Sequence, residues 1–134
     1  MATSRITYTG NLRTSNEHLR SGSVIRTDAP TDNNGLGEDF SPTDLTATSL
    51  GACMLTVMGI KAKSENWELV DVSCEVTKVM TDSPRRISEI HIEIKMPPSL
   101  KDGQRKSLER VALACPVAKS LSAEIEQVVR FDYP

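Results

Sequence analysis

Two stretches of the chain place apolar residues at every second position. In residues 68–79, ELVDVSCEVTKV, these are Val70, Val72, Cys74 and Val76. In residues 87–96, ISEIHIEIKM, they are Ile90, Ile92, Ile94 and Met96, with Glu89, His91, Glu93 and Lys95 opposite. Period two marks a strand with one face on a core. The intervening TDSPRR supplies a turn, so an antiparallel hairpin with one wet face is expected. Upstream, residues 5–27 predict two or three more strands: RITYTGNLRT alternates in part, and GSVIRT is a β-branched run after the turn-prone Ser21-Gly22. A last strand is expected in EQVVRFDY.

Helices fill the gaps. Ser41 can act as an N-cap, with Pro42 at the first helical position and Asp44 at the third, a capping box of the form S-x-x-D. From there LTATSLGACMLTVMGIKAKSEN carries no proline, and its last turn is polar and basic. Its centre is apolar all round, which predicts burial on most sides. Small residues at Ala47, Gly51, Ala52 and Gly59 let other backbones come close. After Pro97-Pro98, SLKDGQRKSLERVALA predicts a second helix capped by Ser99 with Asp102 and ending near Ala114, because Pro116 disfavours helical geometry at Cys115. PVAKSL then restarts as a short helix. Strands, long helix, hairpin, helix pair and strand make an α+β domain, and with neither repeats nor a linker residues 1–134 read as a single one.

Composition narrows the function classes. A chain of 134 residues with 38% apolar and 25% charged side chains suits a soluble domain with its own core. A formal net charge of −2, with acids and bases interleaved, gives no basic stripe for nucleic acid and no polybasic membrane patch. Only 4% of residues are aromatic, too few for a base-stacking platform. MATSRITYTG lacks the apolar region of a secretory signal, and the longest apolar run reads as too short and too rich in small polar residues to span a bilayer. Three cysteines, an odd number, point away from a disulfide framework and toward a reducing compartment, the cytoplasm.

Several chemistries fail on spacing. The loop DAPTDNNGLGEDF resembles a calcium loop only in composition: with Gly35 sixth, Pro30 and Ser41 fall where acids are required. His18, His91, Cys53 and Cys115 form no tight ligand pairs for zinc, and no G-x-S-x-G is present. The cysteines remain. Cys74, on the apolar face of a strand, reads as a core residue. Cys115 precedes Pro116 and so sits at a helix N-cap, where free N–H groups favour a thiolate and a lowered pKa. It reads equally well as a kink residue between two helices. Cys53 alone reads as a buried helix residue. If the two helices pack side by side, Cys53 and Cys115 become a thiol pair able to pass through a sulfenic acid to a disulfide.

SPTDLTATSLGAC followed far downstream by ACPVAKSL resembles the osmotically inducible protein C and organic hydroperoxide resistance family (OsmC/Ohr) across nearly the whole chain. The resemblance implies an OsmC-like fold, antiparallel sheets around a long central helix, in an intertwined homodimer with its sites at the subunit interface. It implies thiol-dependent reduction of organic hydroperoxides with no cofactor beyond an external thiol or dithiol reductant. Cys53 would be the attacking cysteine and Cys115 the resolving one. An arginine from the N-terminal strands, Arg13 with Arg20 and Arg26 as rivals, would activate Cys53, held by an acid near the helix start. Here the sequence departs from the family pattern of Pro-Glu before the helix: Thr43 holds the acid's place and Asp44 follows one residue later. The alternative implied by that displacement is an OsmC-like small-molecule binder or redox sensor with little turnover.

Overall fold

A computed structural model describes all of residues 1–134. The element order is β1 (Ser4–Gly10), β2 (Arg13–His18), β3 (Val24–Asp28), a 3-10 turn (Thr31–Asn33), α1 (Pro42–Ser64), β4 (Ser73–Thr81), β5 (Arg86–Lys95), α2 (Asp102–Leu113), α3 (Pro116–Ser120) and β6 (Glu126–Asp132). Contacts divide the chain into two compact units, Met1–Thr46 and Ala47–Pro134.

In the first unit β1, β2 and β3 form an antiparallel three-stranded sheet in sequence order. Ile6, Tyr8, Val24 and Ile25 all lie exposed on it. The loop after β3 is sewn together by backbone bonds from Asp28 N–H to Phe40 O, Ala29 N–H to Leu12 O and Gly37 N–H to Ala29 O. Gly35 folds so tightly against Ala29 that any Cβ there would overlap the Ala29 carbonyl, 1.7 Å from its oxygen. A side chain cannot be fitted in that turn.

In the second unit β4, β5 and β6 form another three-stranded sheet. The expected hairpin is present: β4 and β5 pair antiparallel, with Cys74 opposite Ile94 and Val76 opposite Ile92. The last strand corrects the expectation of antiparallel sheets, since β6 runs parallel to β5, with Val129 opposite Ile92. The helix pair between them supplies the crossover that a parallel neighbour requires. Ile90, Ile92 and Ile94 are fully buried, each worth roughly 1.5–3 kcal/mol relative to exposure.

The capping box at the start of α1 forms as expected: Ser41 N–H donates to Asp44 Oδ2 at 2.9 Å, and Asp44 N–H donates to Ser41 Oγ at 3.1 Å. The expectation of burial on most sides is corrected. Within this chain α1 buries one stripe, Ala47, Leu50, Gly51, Met54, Met58 and Ala62, while Ala52, Thr56 and Ile60 are exposed. Gly51 sits at the closest approach to the sheet, where a Cβ would come within 2.9 Å of Val76 and 3.1 Å of Cys74. At 23 residues α1 is also long and apolar enough to cross a membrane by length and composition, contrary to the sequence reading, but its buried stripe belongs to the core. The second helix starts later than expected. Lys101, not Ser99, is its N-cap, its N–H held by the Gln104 side chain at 2.9 Å. Ser99 instead lies in a turn gripped by Arg105, which donates to the Leu100 and Pro98 carbonyls. The chain end is fastened where Tyr133 OH donates to Glu109 Oε2 at 2.6 Å and Arg105 lies 4.1 Å from the Tyr133 ring.

Candidate active site

Two groups of chemically able side chains emerge, one in each unit. In the second unit, α1 carries Cys53 and the junction of α2 and α3 carries Cys115, and the two thiols are near enough for Cys53 to influence the Cys115 pKa. Both are free. The local reason is the break at Pro116: it ends α2 at Leu113 and turns Cys115 extended, at φ −64° and ψ 153°, so that it caps α3. Cys115 Sγ accepts from the Ala118 N–H at 3.4 Å.

That cap does not give Cys115 the lowered pKa expected from its position. Burial pushes the Cys115 thiol up, and the neighbouring Cys53 adds to the rise, against the opposing pull of the Ala118 and Val117 amides. Desolvation wins because the residue is only 1% exposed. Cys53 is half-buried, so of the two it is the thiol open to a reagent. Cys74 packs against α1 at Gly51 as the core residue it was expected to be, its thiol pushed up by burial.

A largely apolar cavity of about 390 Å³ in the same unit is lined by Val57, Ile60, Lys61, Ser64, Val111 and Ala114, with neither cysteine in its lining. Val57 lies one helical turn beyond Cys53, and Ala114 directly precedes Cys115.

In the first unit, Arg13 is centred on acids. Its guanidinium donates to Glu38 and, at 3.4 Å, to Asp28 Oδ2, while Asp28 Oδ2 also accepts the Glu38 N–H at 3.0 Å. The hydrogen bond with Glu38, and then the charge of Asp28, hold the Arg13 pKa above its already high ordinary value. No local sequence pattern marks Asp28 and Glu38 as the partners of Arg13. The available signal was strand register, since Arg13 stands opposite Asp28 across β2 and β3. Of the rivals, Arg26 lies 3.9 Å from Asp39 on an exposed side chain, and Arg20 lies in the turn after β2. Asp44, the acid expected to hold the arginine, serves in the capping box. The histidines make local pairs, His18 with Ser21 and His91 with Glu89, and no three metal-ligating side chains converge.

A helix-borne thiol and a second thiol at a Cys-Pro helix start, with a β4–β5–β6 sheet, define a two-cysteine α+β protein. The chain belongs to the OsmC family: the model of the OsmC-like protein family matches residues 35–129. It is 52% identical to a protein of Psychrobacter arcticus 273-4 provisionally named as an osmotic stress induced and detoxification response protein; the match covers 98% of this chain and 96% of that one, with a TM-score of 0.95. An organic hydroperoxide resistance protein OsmC of Legionella pneumophila shares the fold at 18% identity and TM-score 0.73, with 98% of each chain covered. The organic hydroperoxide resistance protein OhrB of Bacillus subtilis does so at 17% identity and TM-score 0.69, again over 98% of each chain. No curated protein matches.

Proposed function

We propose that this protein is a cysteine-based peroxidase that reduces organic hydroperoxides. The single observation that carries the reading is that the chain belongs to the OsmC family over a stretch that includes both Cys53 and Cys115 as free thiols. The Cys53 thiolate attacks the distal oxygen of the hydroperoxide, the O–O bond breaks, and the alkoxide takes up a proton to leave as an alcohol. Cys53 is then a sulfenic acid. Cys115 attacks that sulfur, expelling water and closing a disulfide. An external dithiol reduces the disulfide by exchange, so the cycle calls on no flavin, haem or metal. Attack falls to Cys53 because it is the more accessible thiol, and Cys115 suits the second step because burial shields it from the oxidant. The apolar cavity supports a substrate with a hydrocarbon body. The exposed apolar residues of both units, Ile6 and Ile25 in one and Ile60 in the other, support a homodimer of single-domain chains, and the free thiols support a cytoplasmic home.

A second reading rests on the same thiols. Because burial raises the Cys115 pKa, resolution can be slow enough to leave a redox sensor or binder rather than a rapid catalyst. Steady-state assay with cumene hydroperoxide and a dithiol separates the two. Sustained turnover that Cys53→Ser abolishes supports the peroxidase; a single stoichiometric oxidation supports the sensor. Full turnover by Cys53→Ser would remove both.

A further inference from the structure

The face of β6 turned toward the core carries one polar side chain. Gln127, Val129 and Phe131 alternate along the strand and stand opposite Ile90, Ile92 and Ile94 of β5, which are fully buried. Val129 and Phe131 pack on the core as that row requires, but Gln127 puts an amide there, half-buried. A polar group in such a row is held by a hydrogen bond. Gln127 Nε2 donates to the Ala118 carbonyl of α3 at 3.0 Å. That carbonyl needs an outside donor: α3 is five residues long, and the chain turns extended at Leu121, φ −77° and ψ 152°, before another helical N–H can reach back to it. Through its other backbone group the same residue faces Cys115, since the Ala118 N–H donates to Cys115 Sγ at 3.4 Å. One side chain on β6 therefore grips the residue whose amide grips the thiol.

We propose that Gln127 is a positioning residue for Cys115, holding α3 so that the Ala118 amide stays on the sulfur while the disulfide closes. In that step Cys115 gives up its proton and its sulfur attacks the sulfur of the Cys53 sulfenic acid. The S–S bond forms, the S–O bond breaks, and the departing hydroxide takes up the proton as water. The attacking sulfur must bear negative charge and keep one direction, and an N–H donated to it serves both needs. A helix as short as α3 cannot hold that amide in place unaided, because helices under about 12 residues are marginal on their own. Gln127 supplies the tie from the sheet. The inference rests on the two-cysteine reading above and lies wholly within the second unit.

The test compares Gln127→Met, Gln127→Lys and Tyr133→Phe with the wild-type protein. Reduced protein is mixed with one equivalent of cumene hydroperoxide, and two rates are read: loss of the hydroperoxide, which reports Cys53 oxidation, and appearance of the disulfide. Methionine is unbranched like glutamine and suits an apolar row, so the fold is kept while the donor is lost. Gln127→Met is expected to leave the first rate unchanged and to slow closure by about 10- to 100-fold, the range for a misplaced reacting group. Lysine lays an apolar stem along the row and returns a donor, so Gln127→Lys is expected to recover most of that loss. Tyr133→Phe cuts a different tie, from Tyr133 OH to Glu109 on α2, and is expected to leave closure at the wild-type rate. Closure at the wild-type rate in Gln127→Met overturns the proposal and leaves the peroxidase reading intact. Gln127→Lys as slow as Gln127→Met overturns it too, and so does equal slowing by Tyr133→Phe, which would make general loosening the cause. Wild-type protein that consumes the hydroperoxide without joining Cys53 to Cys115 overturns the two-cysteine reading and this inference with it.

Discussion

The two units hold their reactive groups by opposite means. Cys53 and Cys115 rest on a packed core in which Leu50, Met54, Met58, Ile90, Ile92 and Ile94 are fully buried. Arg13 rests on a sheet whose apolar side chains are largely exposed, and its support is electrostatic: one buried carboxylate and one loop carboxylate. Dispersion and desolvation place the thiols, whereas charge places the guanidinium. The first kind of support is sensitive to volume, the second to the loss of a single partner.

Each substitution below tests that contrast, the most damaging first. Leu50→Ala is expected to cost about 3–5 kcal/mol in denaturant unfolding, because it opens a cavity under α1 where nothing can collapse to fill it. Asp28→Ala is expected to cost about 2–4 kcal/mol, less than a wholly buried pair because the Arg13 side chain is one-third exposed. Hydrogen exchange sharpens the distinction: Asp28→Ala should strip protection from β2 and β3 and leave β5 protected, whereas Leu50→Ala should do the reverse. Equal loss in both units would break the contrast. Gly51→Ala comes next, at about 1–3 kcal/mol, since its new methyl meets Val76 and Cys74 side chains that are themselves packed. The smallest effect is electrostatic and lies within the thiol pair. Cys53→Ser removes one cause of the Cys115 rise, so the Cys115 titration followed by its Cβ chemical shift should move downward. It should stay above the ordinary thiol range, because burial, the largest cause, is untouched.

Much of this architecture was readable because it depends on local rules. Period two located β4 and β5, S-x-x-D located the start of α1, and proline fixed the break at Cys115. What local rules could not supply was long-range pairing. Nothing in EQVVRFDY distinguishes a strand parallel to β5 from an antiparallel one, and Ser99 looked as good a cap as any until Arg105 claimed the turn around it. The site divides the same way. Cys53 and Cys115 were visible as motif residues, but how near one thiol comes to the other depends on packing that no local rule supplies. The pKa of Cys115 was misjudged because the N-cap is a local feature and burial is not. Asp28 and Glu38 were invisible for a like reason: partners 15 and 25 residues from Arg13 are chosen by strand register and loop closure.

The central claim is that Cys53 and Cys115 act as one redox unit. Its most direct test is to treat the reduced protein with one equivalent of cumene hydroperoxide and map the product by non-reducing peptide mass analysis. The account predicts a disulfide between the Cys53 and Cys115 peptides, with Cys74 still a thiol. A Cys53 peptide carrying added oxygen while Cys115 stays reduced, or a bond that enlists Cys74, would contradict it.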